Sequence, residues 1–152
     1  MRHALAALAC LISFPCWGWD HGAISDRERP LLHALQALGV QYRYGGRSPE
    51  TGFDCSGLIA HVFERAWGIA LPASTAALSK VGAAVKLKEL EPGDLVFYNT
   101  RNRPYSHVGL YLGEGRFVHA PRSGAHVRVE NVHTGYWRAR FNGARRLTPP
   151  TY

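Results

Sequence analysis

The chain has 152 residues, a formal net charge of +7 and a pI of about 9.7, and its length suits one domain with a core of its own. Apolar residues make up 46% and charged residues 19% of it, which excludes a disordered or fibrous protein. No apolar run reaches the roughly 20 residues that span a bilayer, so we expect no transmembrane segment. The positive charge suits nucleic acid, anionic lipid or an acidic cell-wall polymer, and it does not choose among them.

The N-terminus has the pattern of a secretory signal peptide. A short basic start precedes the apolar run 4–15, and small residues at Cys16 and Gly18 suit cleavage after Gly18. A buried N-terminal helix is the alternative, and Pro15 counts against it. We therefore expect an exported protein, in the periplasm or cell envelope.

A first helix follows the leader. Apolar residues between Leu31 and Leu38 recur at helical spacing, Ser25 and Asp26 offer N-cap side chains, and Gly39 ends the pattern.

A second helix is predicted over Cys55–Trp67, with Asp54 as its N-cap and Gly68 as its end. Cys55 would then lie where backbone N–H groups lack partners and the helix dipole favours negative charge, which lowers the pKa of a thiol. The same N–H groups can receive the oxyanion that forms when an acyl carbon is attacked. A buried, inert cysteine is the alternative.

Cysteine use supports a chemical role for this residue. If Cys10 and Cys16 leave with the leader, Cys55 is the one thiol of the mature chain. A lone thiol cannot form an intramolecular disulfide, and in an oxidising compartment it is a liability unless it does chemistry.

Strand patterns fill the second half of the chain, so that helices come first and antiparallel strands second. This order indicates an α+β domain. Strands are predicted at 95–98, 108–112 and 116–119, with a hairpin turn at 113–115 and candidate strands at 127–129 and 144–147.

Two histidines are placed to serve a cysteine nucleophile, which needs a base held by a third polar group. His107 begins a predicted strand, where the backbone is rigid and a cleft can be reached. His119 ends the partner strand, and antiparallel pairing would bring it close to His107. Two alternatives stay open: a polar cross-strand pair without chemistry, and a zinc site of Cys55, His107 and His119, which has no evident fourth ligand.

Several short blocks of sequence stand in a definite order along the chain. They are Tyr42-Arg43-Tyr44-Gly45-Gly46, Phe53-Asp54-Cys55-Ser56-Gly57-Leu58-Ile59, Leu71-Pro72, Glu91-Pro92-Gly93-Asp94-Leu95-Val96-Phe97-Tyr98, Ser106-His107-Val108-Gly109-Leu110-Tyr111-Leu112-Gly113 and Phe117-Val118-His119-Ala120-Pro121. In this order and spacing they resemble the NlpC family of papain-like bacterial cell-wall cysteine peptidases. The resemblance spans 30–147.

The resemblance implies a small papain-like α+β domain, with N-terminal helices and the nucleophile helix packed on an antiparallel sheet. It implies that Cys55 is the nucleophile, His107 the base and His119 the residue that orients the base. No metal and no cofactor are implied. The residues implied to bind substrate are Tyr42, Asp54 and Ser56.

The implied reaction is hydrolysis of peptide bonds in peptidoglycan stem peptides or cross-links, such as D-glutamyl or D-alanyl bonds to diaminopimelate. Peptidoglycan peptides would be the partners of a monomer, and nucleic acid is not expected because no binding motif is present. Ala73, Leu78 and Tyr44 stand where many members carry arginine, glutamine and tryptophan, so the resemblance does not define which bond is cut.

Other readings stay open beside the peptidase. They are a non-catalytic wall-binding module, an amidase or acyltransferase of related fold, and an effector delivered into competing cells. The expected organisation is a leader at 1–18, a linker at 19–29, the catalytic domain at 30–147 and a tail at 148–152.

Overall fold

The structure is a computed structural model that describes residues 24–151. The predicted leader, the first part of the linker and the last residue of the tail lie outside the described residues, so the boundaries proposed for these segments stay predictions. Within 24–151, no helix combines the length and the apolar character needed to cross a bilayer.

The described chain forms four α-helices, one 3-10 helix and eight strands. In order they are α1 (Arg29–Gln36), β1 (Arg47–Ser48), β2 (Gly52–Phe53), α2 (Cys55–Trp67), α3 (Thr75–Leu78), β3 (Ala83–Val85), the 3-10 turn Leu87–Glu89, β4 (Leu95–Tyr98), β5 (His107–Gly113), β6 (Arg116–His119), β7 (Arg128–Asn131), α4 (Gly135–Arg140) and β8 (Phe141–Arg146). The six-stranded sheet has the order β3-β8-β4-β5-β6-β7, and its neighbouring strands are antiparallel. The α+β prediction is confirmed.

Helix α2 has the predicted bounds because both ends carry strong local signals. The Asp54 carboxylate accepts a hydrogen bond from the Gly57 N–H at 2.7 Å, and Gly68 ends the helix in the left-handed conformation with φ of 66°. Leu58 and Val62 on its buried side are fully inaccessible to solvent, and the helix packs on β5. The core therefore fixes the cysteine end of α2 against the start of that strand.

Helix α1 differs from its prediction at both ends. Its N-cap is Glu28, which makes no capping bond, rather than Ser25 or Asp26. Pro30 occupies the first turn, where its missing N–H removes one group that a cap would have to satisfy. The helix stops at Gln36, because the Gly39 N–H bonds to the backbone just before β7 instead of continuing the helix.

The predicted strands 95–98 and 116–119 are found with those bounds, and the strand predicted at 108–112 extends one residue at each end. The two C-terminal candidates are shifted to 128–131 and 141–146. Neither β3 nor α4 was predicted from the sequence. Strand β3 is short and largely exposed, so its sequence has no apolar pattern that would predict a strand. It forms because it pairs with β8, which lies far along the chain.

Side chains alternate between the two faces of the sheet, and each face has its own core. Leu95 and Val108 face the core that contains α2. Tyr98, Phe117 and Trp137 belong to the core on the opposite face, which α4 helps to cover. His107 pairs directly with Tyr98, so that its side chain belongs to this second face.

The first turn of α2 leaves no room for a side chain at Gly57. An added Cβ would overlap the Gly46 carbonyl oxygen and lie 2.9 Å from Asp54 Oδ1. We expect Gly57→Ala to lower the free energy of unfolding by about 1–3 kcal/mol, because the loop must move away from the helix. Urea unfolding followed by circular dichroism measures the change.

Gly135→Ala is the matched control for that substitution. Gly135 begins α4, and an added Cβ there meets no atom within 4 Å. We expect a change below about 1 kcal/mol, set by helix propensity alone. Equal stability of both variants would show that the contact between α2 and the 45–46 loop is not tight.

Candidate active site

A chain of three side chains crosses neighbouring strands on the second face of the sheet. His107 Nε2 lies 2.7 Å from His119 Nδ1, and His119 Nε2 lies 2.8 Å from Glu130 Oε2. The three residues come from β5, β6 and β7, which are adjacent in the sheet. The proximity of the two histidines predicted from the hairpin is thus confirmed, and Glu130 was not predicted.

This chain determines which ring nitrogens carry protons. A carboxylate only accepts hydrogen bonds, so His119 Nε2 is the donor to Glu130 and His119 Nδ1 must accept when the ring is neutral. His107 Nε2 is then the donor to His119. Neutral His107 is left with an unprotonated Nδ1, which can receive a proton.

Cys55 lies at the first residue of α2 and is partly buried. Its sulfur interacts with the backbone N–H groups of Val108 and Ser56. Because Val108 directly follows His107, the thiol lies beside the first residues of β5. The structure therefore brings the thiol next to the strand that carries His107, whose imidazole bonds to His119.

The charge state of the thiol differs from the sequence-based expectation. Burial raises the pKa of Cys55, and the neighbouring Asp54 carboxylate raises it further. The N–H groups of Val108 and Ser56 and the Arg101 guanidinium act in the opposite direction, and the pKa is raised on balance. The expected lowering of the Cys55 pKa by the helix tip was wrong, because burial of the sulfur, and after it the charge of the Asp54 cap, outweigh the N–H groups of the helix start.

Both histidines are neutral at neutral pH. Burial, followed by the charges of His119 and Arg101, lowers the pKa of His107 to about 3. Burial, followed by the charge of Arg128, lowers the pKa of His119 to about 3. Arg128 also pairs with Glu130 at 3.1 Å, and this ion pair offsets part of the charge of the Glu130 carboxylate. The resting site therefore holds a neutral thiol and a neutral imidazole rather than a preformed ion pair.

Trp137 covers the histidine pair. Its ring lies 5.7 Å from the ring of His107 at an interplanar angle of 23°, and 5.0 Å from that of His119 at 85°. The residue is only 7% exposed, so it keeps water from the imidazole faces. A ring stacked in this way also stabilises an imidazolium when one forms. Trp137 was missed because the short helix α4 has no clear sequence signal.

Tyr42 and Arg101 lie on the thiol side of the site. Burial raises the pKa of Tyr42, and the nearby Cys55 adds to this, so that its hydroxyl stays protonated and can donate. Arg101 hydrogen-bonds to Tyr42 from the connection between β4 and β5. Arg101 was not predicted, since nothing in an exposed loop sequence distinguishes it from the other arginines.

Asp54 and Ser56 have bonds within the protein. Asp54 Oδ1 accepts from the Gly57 N–H, and its Oδ2 accepts from the Gly45 N–H at 2.8 Å. Ser56 is 8% exposed, and its hydroxyl donates to Asp54 at 3.3 Å. These bonds hold the 45–46 loop on α2. Contact of either residue with substrate stays a prediction.

A cleft of about 570 Å³ opens beside His107, with Trp137 and Glu130 also on its wall. Within the described part of the chain, no group of three or more histidine, cysteine, aspartate or glutamate side chains is arranged to hold a metal ion. His107 and His119 bond to each other instead of converging with Cys55 on a common point.

The model of the NlpC/P60 family matches residues 39–146. The chain belongs to the NlpC/P60 family. This confirms the resemblance that the ordered sequence blocks indicate. It also agrees with the papain-like fold, in which the helix that begins with the cysteine packs on an antiparallel sheet.

Individual NlpC/P60 proteins share most of the domain. Murein DD-endopeptidase MepH of Escherichia coli K12 is 38% identical over 119 residues, which are 76% of this chain and 44% of that protein. Gamma-DL-glutamyl hydrolase of Bacillus subtilis 168 is 43% identical over 115 residues, 75% of this chain and 28% of that protein. The crystal structure of an NlpC/P60 family protein from Bacillus cereus ATCC 10987 matches with a TM-score of 0.73 and 29% identity, over 82% of this chain and 41% of that one. This chain therefore spans less than half the length of each of these relatives.

The raised pKa of Cys55 predicts slow alkylation at neutral pH. A raised pKa leaves less thiolate at pH 7 than an ordinary cysteine has, so the rate with iodoacetamide should rise with pH to a midpoint above that of free cysteine. Mass spectrometry of the Cys55 peptide after timed labelling between about pH 6 and pH 10 measures the profile.

Asp54→Asn tests the cause of that shift. Asparagine keeps a cap oxygen and removes the negative charge, so the midpoint should move to lower pH. Glu114→Gln removes one negative charge at the exposed hairpin turn and should leave the midpoint unchanged. A wild-type midpoint below that of free cysteine would contradict a neutral resting thiol.

Proposed function

We propose that the chain is a cysteine peptidase that hydrolyses peptide bonds in peptidoglycan stem peptides or cross-links. The observation that carries this proposal is the hydrogen-bonded chain of His107, His119 and Glu130, which leaves His107 Nδ1 unprotonated at the strand start beside Cys55. The name of the Escherichia coli relative, a murein DD-endopeptidase, supports peptidoglycan as the substrate. The Bacillus subtilis relative is named for a γ-DL-glutamyl bond, so the two names do not select one bond.

The first half of the reaction forms an acyl-enzyme. The Cys55 proton passes to His107 Nδ1 while the sulfur attacks the peptide carbonyl carbon, so that the charges form together inside the site. His119 and Glu130 accept along the chain and stabilise the imidazolium. The Tyr42 hydroxyl and the N–H groups at the start of α2 receive the oxyanion. The imidazolium then protonates the departing amine, and a thioester remains on Cys55.

The second half releases the acyl group. His107, neutral again, accepts a proton from water as the water oxygen attacks the thioester carbon. The thiolate leaves, takes back the proton from His107 and restores the neutral pair, while the carboxylic acid product departs. All steps are proton transfers and acyl transfers between Cys55, His107 and water.

We also propose that the protein is exported to the cell envelope. The basic start, the apolar run 4–15 and the small residues before position 19 support a cleavable leader. A substrate in the cell wall is consistent with this location. A monomeric state stays a prediction.

Digestion of purified peptidoglycan tests the peptidase proposal. The chain from residue 19 onward should release peptide fragments, and Cys55→Ala should release none, because the acyl-enzyme cannot form. Mass spectrometry of the soluble fragments identifies the bond that is cut. Binding to the wall by both proteins without release by either would instead favour a non-catalytic wall-binding module.

Glu130→Gln tests the end of the hydrogen-bonded chain. The amide oxygen can still accept from His119, but the charge that stabilises the imidazolium is lost. We expect kcat to fall about 10- to 100-fold, the loss typical of a charge-assisted hydrogen bond, with little change in KM. Steady-state kinetics with a stem-peptide substrate measure both constants.

Glu114→Gln provides the control, because Glu114 is an exposed glutamate at the β5–β6 turn. Its kinetic constants should match those of the wild type. If Glu130→Gln raised KM and left kcat unchanged, Glu130 would act in substrate binding and not in orienting His119.

A further inference from the structure

The loop between β4 and β5, which carries Arg101, is held in place by hydrogen bonds. The Thr100 N–H donates to the Ser106 hydroxyl at 3.0 Å, which closes the loop. The Tyr105 N–H donates to the side-chain oxygen of Asn142 at 2.9 Å, which ties the loop to β8. Tyr105 has a φ of 54°, a left-handed conformation that a residue with a side chain keeps only where its surroundings hold it. Arg101 therefore projects from a loop whose backbone is fixed.

Arg101 reaches two parts of the site from this loop. It lies on the wall of the cleft that contains His107, and it hydrogen-bonds to the Tyr42 hydroxyl on the thiol side. Its charge acts on Cys55 as well as on His107. Among residues 24–151, no carboxylate forms an ion pair with Arg101. The positive charge that it brings to Tyr42 and the thiol is therefore not neutralised by an ion-pair partner in this part of the chain.

The polarity of the bond between Arg101 and Tyr42 follows from the groups involved. A guanidinium has only N–H donors, so the Tyr42 oxygen accepts from it, and the Tyr42 proton stays free to be donated elsewhere. Burial, and after it the neighbouring Cys55, raises the pKa of Tyr42, so the hydroxyl keeps its proton beside the sulfur. Tyr42 is only 8% exposed, which limits the water that can compete for that proton. An oxyanion on the carbon that the sulfur attacks can then accept from the hydroxyl.

We propose that Arg101 is a positioning residue that fixes the Tyr42 hydroxyl as a donor to the oxyanion. The inference rests on the proposed peptidase function. No proton is transferred, because Arg101 and Tyr42 both keep their protons and the hydroxyl only donates a hydrogen bond. A hydroxyl that already accepts from a cation is a stronger donor, because consecutive hydrogen bonds polarise each other. Without Arg101, the Tyr42 hydroxyl would be free to rotate, and its bond to the oxyanion would be weaker.

Arg101→Ala tests this role with a stem-peptide substrate. We expect kcat to fall about 10- to 100-fold while KM changes less than about twofold, because the oxyanion exists only after attack. Both halves of the reaction pass through an oxyanion, so kcat is sensitive to the loss whichever half is slower. Arg101→Lys keeps a cation that only donates hydrogen bonds, and it should restore most of the rate. A raised KM with an unchanged kcat would overturn the proposal, since Arg101 would then bind substrate.

Arg103→Ala is the matched control, because Arg103 is an exposed arginine of the same loop and does not lie on the wall of the cleft. Its kcat and KM should match those of the wild type. An equal loss of kcat in Arg103→Ala would contradict the proposal, because the overall charge of the loop would then be the cause.

A double-mutant cycle with Tyr42→Phe shows whether Arg101 acts through Tyr42. Tyr42→Phe removes the hydroxyl and should itself lower kcat. Adding Arg101→Ala to Tyr42→Phe should lower kcat by less than about twofold more, because the hydroxyl that Arg101 positions is already absent. Losses that multiply, as those of independent residues do, would refute the proposal.

Two small reagents separate this inference from the peptidase proposal. In the reaction with p-nitrophenyl acetate, the Cys55 sulfur bonds to the ester carbon through an oxyanion, p-nitrophenolate leaves, and the thiol proton passes to solvent. Iodoacetamide alkylates the same thiol, with iodide as the leaving group, and forms no oxyanion. The ratio of the acylation rate to the alkylation rate therefore reports the oxyanion donor and not the amount of thiolate.

We expect this ratio to fall about tenfold in Arg101→Ala and to stay at the wild-type value in Arg103→Ala. Absorbance of the released p-nitrophenolate and mass spectrometry of the Cys55 peptide measure the two rates. A fall supports the role of Arg101 even if the wild type cuts no peptidoglycan. An unchanged ratio in Arg101→Ala overturns that role even if peptidoglycan is digested.

Discussion

The hydrogen-bonded chain from Glu130 through His119 to His107 is the interaction on which the site depends. Each link determines the proton position of the next, and the result is one unprotonated nitrogen on His107, the residue that precedes the Val108 N–H in contact with the thiol. Without Glu130, His119 would have no partner to hold the proton on Nε2, and His107 could adopt either neutral form. The three residues come from adjacent antiparallel strands, so the sheet holds them at hydrogen-bonding distance.

Burial gives this site its resting charge state. Trp137 and the second core exclude water from the histidines, which lowers the pKa of both, while the partly buried thiol next to Asp54 has a raised pKa. A low dielectric disfavours every separated charge but strengthens the attraction between charges that form together. The raised pKa of the thiol and the lowered pKa of both histidines therefore favour neutral groups at rest and a proton transfer in which both charges form together.

The same residues that position the Cys55 thiol also change its pKa. Asp54 caps α2 and holds the 45–46 loop, and its charge opposes ionisation of the neighbouring sulfur. Arg101 acts in the opposite direction on Cys55 and also reaches Tyr42 and the cleft beside His107. A helix cap and a loop arginine thus set opposing electrostatic effects around one thiol.

The sequence by itself determined the elements whose signals are local. The Asp54 cap and Gly68 defined α2, and strand alternation with a glycine turn defined the hairpin that carries His107 and His119, because caps, turns and periodicity depend on neighbouring residues. Only the tertiary structure decided the parts that depend on distant residues. Glu130, Trp137 and Arg101 reach the site through strand order and loop packing, and the direction of each pKa shift follows first from burial, which the local sequence does not determine. A residue's local pattern indicates where it stands in a helix or strand, but solvent exclusion and long-range electrostatics exist only once the chain has folded.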